Sequence, residues 1–404
     1  MRDVDLFQLA LGLVPPWMVK ACNFDAAKKR LDIGIDFKTG GRFPCPDCAT
    51  ADCPTHDTVM KTWRHLDFFQ HQAFLSARVP RITCPKCGVR LVNVPWARPG
   101  SGFTLLFEAL TMTLVTHMPV AAVARLVGEH DTRLWRIVQH YVEAAVERMD
   151  LAGLSRVCID ETAAKRGHDY ISLFVDIDRR KVVLITGGKD ADTVAAFADH
   201  VDAHNSDASH IKEVCIDMSA AFIKGVTENL TEAEITFDKF HVMKLIGEAV
   251  DKVRRDEVKS RPELKRSRYL WLKNENNLSA EQSAQLGSLS LTNLKTARAY
   301  HLRLAFQDIY KEKSRDWAAV FFDKWYSWAR RCRLEPMQAV AATMQRHRDG
   351  ILAWFDSGIA NGLIEGINSL VQAAKAKARG YRSIRNLKAI TYLIAGKLDL
   401  KLPT

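Results

Sequence analysis

The rhythm of apolar and polar positions changes several times along the chain, and each change marks a different kind of element. Leu6 to Leu13 has helical spacing and stops at Pro15-Pro16. Trp17 to Phe24 and Arg30 to Phe37 then read as strands around a polar turn. Leu31, Ile33 and Ile35 alternate with Asp32 and Asp36, the pattern of a half-exposed hairpin. Thr62 to Phe69 and Ala73 to Val79 add two strand-like pieces. Between Phe103 and Met149 the period lengthens to that of a helix. Three segments fit, Leu105 to Thr116, Val120 to Leu126 and Thr132 to Glu147, separated by Met118-Pro119 and by Gly128-Glu129-His130-Asp131. In the third, Leu134, Ile137, Val138, Tyr141 and Val142 form the predicted buried stripe, Arg133, Arg136, Gln139 and His140 lie off it, and Asp131 is a candidate N-cap. This layout predicts a helix-turn-helix whose third helix enters a DNA major groove; a three-helix linker is the competing reading.

From Arg156 the pattern turns to short runs of β-branched residues without polar alternation, which predict strands buried on both faces. Arg156 to Asp160, Tyr170 to Ile177 and Lys181 to Thr186 follow one another closely. A helix from Thr193 to Ala203, a strand ending at Asp217, a helix from Ala220 to Asn229, a strand from Glu234 to Phe237 and a helix from Phe240 through Val253 complete the series. Three strands and then alternating helices and strands is the order of an RNase H-like fold. Asp176 and Asp178 are read as hairpin-turn residues. The stretch from about Arg254 to Phe355 has no strand signal, carries five of the nine Trp (271, 317, 325, 328 and 354) at helical spacing, and reads as an all-α insertion with those Trp in its core. A further helix begins near Ala360, with Leu363, Ile367, Leu370, Val371, Ala374 and Ala378 as its predicted buried face and Glu365, Asn368, Ser369, Gln372 and Arg379 on another.

The expected organisation is therefore multidomain: an N-terminal hairpin and zinc ribbon (1–98), an all-α helix-turn-helix (99–150), and an α/β RNase H-like catalytic domain (151–253 and 356–404) carrying the helical insertion (254–355). The ribbon rests on Cys45-Pro46-Asp47-Cys48 and Cys84-Pro85-Lys86-Cys87, four thiolates of the number a structural Zn²⁺ takes. Cys53 and His56 are assigned to a mobile loop, and Cys22, Cys158, Cys215 and Cys332 to buried small hydrophobes. Trp63-Arg64-His65 and Arg78-Val79-Pro80-Arg81 place basic and aromatic residues on the ribbon's strands, as a nucleic-acid module would.

A net charge of +11 and a pI near 9.2 favour an anionic partner. The charge is concentrated from Gly366 to Lys397, where Lys375, Lys377, Arg379, Arg382, Arg385, Lys388 and Lys397 occur without one acid. No basic n-region precedes Leu6 and no apolar window is long enough to span a bilayer, so a cytoplasmic chain with no membrane partner is expected, nucleoid-associated when on DNA. The chemistry is expected at Val157-Cys158-Ile159-Asp160 and Val214-Cys215-Ile216-Asp217, the same four residue types twice, each a buried strand ending on an acid. Two such carboxylates side by side repel unless a cation lies between them. Glu365, the one acid between Asp356 and Asp399, completes a three-carboxylate set of hard oxygen ligands suited to two Mg²⁺ (or Mn²⁺) ions, with the basic run after it holding phosphates.

The paired C-P-x-C knuckles, the helix-turn-helix, Ile159-Asp160-Glu161, Ile216-Asp217-Met218-Ser219, Asp238-Lys239-Phe240-His241-Val242, the helical insertion, and Asn361-Gly362 through Glu365-Gly366 and Asn368-Ser369 followed by Arg379-Gly380-Tyr381 together resemble the ISL3 family of bacterial insertion-sequence transposases over nearly the whole chain. The resemblance implies an RNase H-like acid-triad enzyme with Asp160, Asp217 and Glu365 as the triad, cleaving and joining DNA at terminal inverted repeats. It also implies that His241 and Asn368 lie near the active site, and that the partners are double-stranded transposon-end and target DNA and further copies of the chain on that DNA. Arg133 and Arg136 are the expected DNA contacts of the helix-turn-helix, and Lys375, Lys377, Arg379, Arg382 and Arg385 those of the C-terminal run. Two alternatives stay open: a catalytically silent DNA-binding regulator, and a metal-dependent nuclease that does not join strands.

Overall fold

Leu31, Ile33 and Ile35, alternating with polar residues, all turn inward in a computed structural model that describes residues 2–165, 169–273, 275–290, 292–359 and 362–403. The chain divides into two compact units, residues 1–142 with 399–404, and residues 143–398. In the first, helix α1 (Asp3–Ala10) precedes strands β1 (Trp17–Asp25), β2 (Arg30–Phe37), β3 (Arg42–Phe43), β4 (Cys53–Arg64), β5 (Gln72–Cys84) and β6 (Gly88–Leu91). Their order is β1-β2-β5-β4-β3, with β6 on β5. The β1–β2 hairpin is antiparallel as expected, and β2 runs parallel to β5. Edge-on contacts of Trp96 with Trp17 and Trp63 close its core.

The strand expected from Thr62 to Phe69 instead spans Cys53 to Arg64. Phe68 and His71 exchange backbone hydrogen bonds at 2.9 and 3.0 Å and Phe69 takes a φ of 51°, so these residues turn the chain and cannot extend the strand. Cys53 and His56 accordingly lie on β4, not in a mobile loop, and the Cys53 thiol is buried against the Thr50 carbonyl.

Helices α2 (Leu105–His117), α3 (Val120–Val127) and α4 (Asp131–Glu147) follow. The Thr104 hydroxyl caps α2 and left-handed Gly128 closes α3. The predicted stripe of Leu134, Ile137, Val138, Tyr141 and Val142 is buried. Asp131 is the first helical residue of α4, not its N-cap; the His130 ring takes that place by accepting the Thr132 amide at 3.3 Å.

The second unit is built on β7 (Arg156–Ala163), β8 (Tyr170–Asp176), β9 (Lys181–Gly187), β10 (Glu213–Ile216) and β11 (Glu234–Phe237), ordered β11-β10-β7-β8-β9. The first three strands are antiparallel neighbours, and β10 pairs parallel with both β7 and β11. Parallel pairs need crossovers, supplied by α5 (Asp192–Asp202) and α6 (Ala220–Asn229). A Cβ on Gly225 would come within 2.8 Å of Val194, so the absence of a side chain sets how closely α6 approaches α5. Asp176 and Asp178 stand at the β8–β9 turn, where Asp176 accepts the Arg179 amide at 2.8 Å.

Helix α7 (Lys239–Glu257) runs unbroken through the expected domain edge at 253/254. Helices α8 (Arg268–Leu272), α9 (Ala280–Ser290), α10 (Lys295–Gln307), α11 (Arg315–Arg330), α12 (Glu335–Arg346), α13 (Arg348–Leu352) and α14 (Trp354–Ser357) form the insertion. Trp271 and Trp325 are in its core, each donating an indole hydrogen bond, to Ser267 and to the Leu302 carbonyl. Trp317 and Trp328 are exposed, because α11 presents that side to solvent, so only part of the predicted Trp core exists. Helix α15 (Gly362–Ala378) and helix α16 (Ile384–Ala395) complete the unit; the predicted start near Ala360 lies outside the described residues. The buried stripe of α15 is Ile364, Ile367 and Val371, while Leu370 is exposed. Tyr392 of α16 accepts the Ile185 amide of β9 at 3.0 Å.

Candidate active site and metal centre

Register brings the repeated acids together. Cys215 of β10 lies opposite Cys158 of β7, and Ile216 lies opposite Phe237 of β11. Continuing both parallel registers puts Asp160, Asp217 and Asp238 side by side at one level across three adjacent strands. All three line one small cavity of about 10 Å³ together with Cys158, Cys215, His241 and Ile364, room for about one water-sized sphere. Asp160 does not end its strand, contrary to expectation: β7 continues to Ala163, while β10 stops at Ile216. The β10-facing edge of β7 is thus left without a strand partner from Asp160 onward.

Helix α15 occupies that edge. Asn368 Nδ2 donates to Asp160 Oδ2 at 2.6 Å, Gln372 Nε2 to Thr162 Oγ1 at 2.6 Å, and Lys375 Nζ to the Ala163 carbonyl. Seven helical residues rise about 10.5 Å, close to the rise of three strand residues, so helix and strand stay in step. Because this face is turned to exposed backbone and polar side chains, it is polar, which explains why Leu363 and Leu370 are not in the packed stripe.

The acids differ in environment. Asp160 is pushed up to about 6, first by burial and also by the neighbouring Asp217 charge, against the opposing hydrogen bond from the Glu161 amide, the His241 charge and the hydrogen bond from Asn368. Asp217 accepts the Ser219 amide at 2.9 Å. Asp238 is 3% exposed, caps α7 through the Phe240 amide at 2.7 Å, and holds His241 Nδ1 at 2.6 Å. That bond raises the His241 pKa, with Asp160 and Asp217 contributing. Asn368 Oδ1 is buried without a hydrogen-bond partner among the described residues. Glu365 is exposed; it lies one turn before Asn368 and lines a neighbouring groove with Lys239 and Phe240. The oxygens of Asp160, Asp217 and Glu365 are not drawn within 4.8 Å of one another. Asp238 entered the sequence analysis only within the Asp238–Val242 run, although it directly follows the strand from Glu234 to Phe237 as Asp217 follows β10.

The four expected zinc ligands do meet. The Sγ atoms of Cys45, Cys48, Cys84 and Cys87 all lie within 4.8 Å of one another, near the roughly 3.8 Å edge of a tetrahedron with zinc–sulfur bonds of about 2.3 Å. Cys84 and Gly88 face each other where β5 turns into β6, and left-handed Ala49 folds the other knuckle so that its amide reaches the Cys45 carbonyl at 2.9 Å. The Thr50 hydroxyl and amide pull Cys48 down to about 6, while the bond with Cys48 pushes Cys87 up to about 12. Four thiols this close cannot all ionise without a cation among them, and the set has the number and spacing of ligands that a structural Zn²⁺ takes as thiolates.

Several expected DNA contacts are engaged inside the protein. Arg64 is 1% exposed and donates to the Ala73 carbonyl at 3.2 Å and the Val127 carbonyl at 3.4 Å, tying the ribbon strand to the end of α3. Burial lowers His65 to about 4. Arg78 is forked onto Asp36, and Arg81 onto Asp57. Arg133 pairs with Glu129 at 2.5 Å and stacks over Phe103 at 4.3 Å. Arg136 is exposed. In the C-terminal run Lys375 serves β7, Arg385 pairs with Glu143 at 2.6 Å, Arg379 takes a φ of 57° just after α15, and Arg382 is exposed.

Among the described residues, no helix is long and apolar enough to cross a membrane. Residues 157–391 match the transposase model of the ISL3 family, residues 92–142 the helix-turn-helix domain of ISL3 family transposases, and residues 41–87 the zinc finger of the transposases of IS204, IS1001, IS1096 and IS1165. The transposase for insertion sequence element IS1557 of Mycobacterium tuberculosis is 31% identical over 97% of this chain and 96% of its own length. The transposase for IS1001 of Bordetella parapertussis is 28% identical over 84% of this chain and 85% of its own. The zinc-finger, helix-turn-helix and transposase models match the chain in the order in which its ribbon, helices and α/β sheet fold, and the chain belongs to the ISL3 family of insertion-sequence transposases.

Proposed function

We propose that this transposase cuts its DNA ends and joins them to a target through Asp160, Asp217 and Glu365. The observation that carries the reading is the shared register of Asp160 and Asp217 on neighbouring parallel strands, with Asp160 tied at 2.6 Å to Asn368 of the helix that carries Glu365. Asp160 and Asp217, with Glu365 one helical turn before Asn368, are the residues that would hold Mg²⁺ or Mn²⁺; the unpaired buried Asn368 oxygen and the incompletely compensated Asp160 charge fit a cation and its water there. When bound, such ions activate a water or 3′-hydroxyl and stabilise the leaving oxygen of a phosphodiester. The protein's own part is positioning. Asn368 fixes the Asp160 carboxylate. Asp238, buried and with both oxygens engaged, orients His241 beside the acids and does not serve as a ligand. Arg136 and the exposed C-terminal cations Arg379 and Arg382 hold flanking phosphates. Joining two ends in one reaction calls for more than one copy of the chain, so a homo-oligomer on DNA belongs to the proposal.

Asp160→Asn, Asp217→Asn and Glu365→Gln should each abolish Mg²⁺-dependent strand cleavage and leave duplex-end binding intact, since the amide keeps shape and loses charge. A precleaved end should be joined to target DNA by the wild-type chain, which a simple nuclease would not do. Dead Asp variants beside a Glu365→Gln variant that keeps most of its cleavage rate would remove Glu365 from the set and point to Asp238.

A further inference from the structure

The carboxylate cavity is far too small for DNA, but a groove of about 960 Å³ begins beside it, between α7, α8 and α10. Glu365 lines it, as do Lys239 and Phe240, the two residues that directly follow Asp238. Phe240 is 54% exposed, a large aromatic face beside the acids with no packing role that would explain it. One turn on, Lys244 is exposed and has no ion-pair partner among the described residues. Lys273 and Lys311 stand on the opposite side. Asp251 is already matched by Arg254, Arg255 and Arg268, and Lys311 pairs with Asp308; the other lining acids, Glu248 and Glu365, are outnumbered by Lys239, Lys244, Lys273 and Arg303, so the lining stays cationic. On α10 and just beyond it, Gln307 Oε1 and Tyr310 Oη are buried and have no hydrogen-bond partner among the described residues, although both residues line the groove. Buried polar atoms left unpaired are costly, and a bound molecule with its own donors and acceptors relieves that cost.

We propose that this groove binds an unpaired single strand of DNA, with one base stacked on Phe240, base edges bonded to Gln307 and Tyr310, and the backbone held by Lys244 and its neighbours. An exposed aromatic among cations is the combination that recognises single strands, where every base offers a face to stack on and the phosphates need only charge. A cleft of this size between three helices admits a short run of one strand and excludes a duplex. The inference rests on the transposase reading and adds how the strand next to the scissile bond is taken up once its pairing is opened.

The test uses the full-length protein and a short oligothymidine carrying 5-iodouracil, without a divalent ion. Photocrosslinks should map to the peptide holding Phe240 and Lys244. Phe240→Ala should weaken oligothymidine binding about tenfold. Lys244→Gln, at an exposed position that folding does not depend on, should lower the slope of log affinity against log salt by about 0.7. Crosslinks confined to other segments, wild-type binding by both variants, or equal competition by a blunt duplex overturn the proposal. Asp160→Asn should keep the crosslink and lose cleavage. A wild-type chain that cleaves DNA without a crosslink in the groove refutes the groove alone; one that crosslinks there but never cleaves refutes the catalytic reading alone.

Discussion

Replacing Asp160 by Asn should stabilise residues 143–398 when no divalent cation is present. Burial and Asp217 lift the Asp160 carboxyl from its ordinary 3.8 to about 6. A carboxyl raised in this way binds its proton more tightly folded than unfolded, so its ionisation costs the fold nothing below about pH 4 and the full amount above about pH 6. The shift corresponds to roughly 3 kcal/mol at pH 7.5 and about half of that at pH 5. The amide leaves the number of orphans unchanged, exchanging an unpaired Asn368 oxygen for an unpaired Asn368 nitrogen. Asp160 accepts the Glu161 amide at 2.8 Å and the Asn368 Nδ2 at 2.6 Å. In the variant one acceptor becomes a donor, and rotating the Asn368 amide turns its unpaired Oδ1 toward it. Scanning calorimetry in metal-depleted buffer, with no chelator so that zinc stays bound, should show the variant's second-unit transition higher by roughly 6–12 °C at pH 7.5 and by about half as much at pH 5. Adding Mg²⁺ should raise the wild type and leave the variant unmoved, since a ligand that binds only the folded state stabilises it by mass action. A variant no more stable than wild type at pH 7.5, or a gap that does not shrink on acidification, would refute the claim that the Asp160 charge is incompletely compensated.

Three further outcomes follow from the first unit. Metal analysis of purified protein should find one zinc per chain, and Cys84→Ser should lose it along with the unit's thermal transition, because three thiolates leave the tetrahedral shell open; stoichiometric zinc in that variant would exclude the site. Arg136→Ala should weaken duplex binding and lower the salt slope by about 0.9, as loss of one phosphate contact requires. Arg133→Ala should act differently, lowering stability by about 1 kcal/mol through its lost stacking on Phe103 while changing the salt slope little. Equal salt-slope changes in both variants would show that the Arg133 guanidinium leaves Glu129 to bind DNA.

Much of the architecture could be read from local pattern because the relevant forces are local. The β2 alternation, the α4 stripe and the apolar runs of β7 and β10 each record which side of one element is buried. The repeated strand-then-Asp pattern located Asp160 and Asp217 for the same reason. Cysteine pairs could be read as a metal site because each knuckle is a short turn and the two only had to meet. Arginines were less legible. Arg64, Arg78, Arg81 and Arg133 look like a DNA-binding surface in sequence, yet each meets an acid or carbonyl contributed by another turn, helix or strand. Net charge counts a guanidinium whether or not it is already spent.

What local pattern could not convey is register. A strand that ends on Asp says nothing about which residue faces that Asp, and Asp238 joins Asp160 and Asp217 only because β11 pairs with β10 in one particular alignment. The same limit misled the reading of α15. Leu363 and Leu370 fall on an apolar arc, so periodicity alone favours burying them. The arc that packs is instead chosen by the partner: β10 is four residues long, β7 is eight, and the uncovered part of β7 offers a carboxylate, a hydroxyl and a carbonyl. Asn368, Gln372 and Lys375 answer those three groups, and the helix turns accordingly. Strand-length mismatch therefore decides the rotation of α15, and with it whether Glu365 comes near the two aspartates at all. Three residues added to β10 would cover the Asp160–Thr162 edge, displace α15, and separate Glu365 from Asp160 while every residue of the proposed triad remained in the sequence.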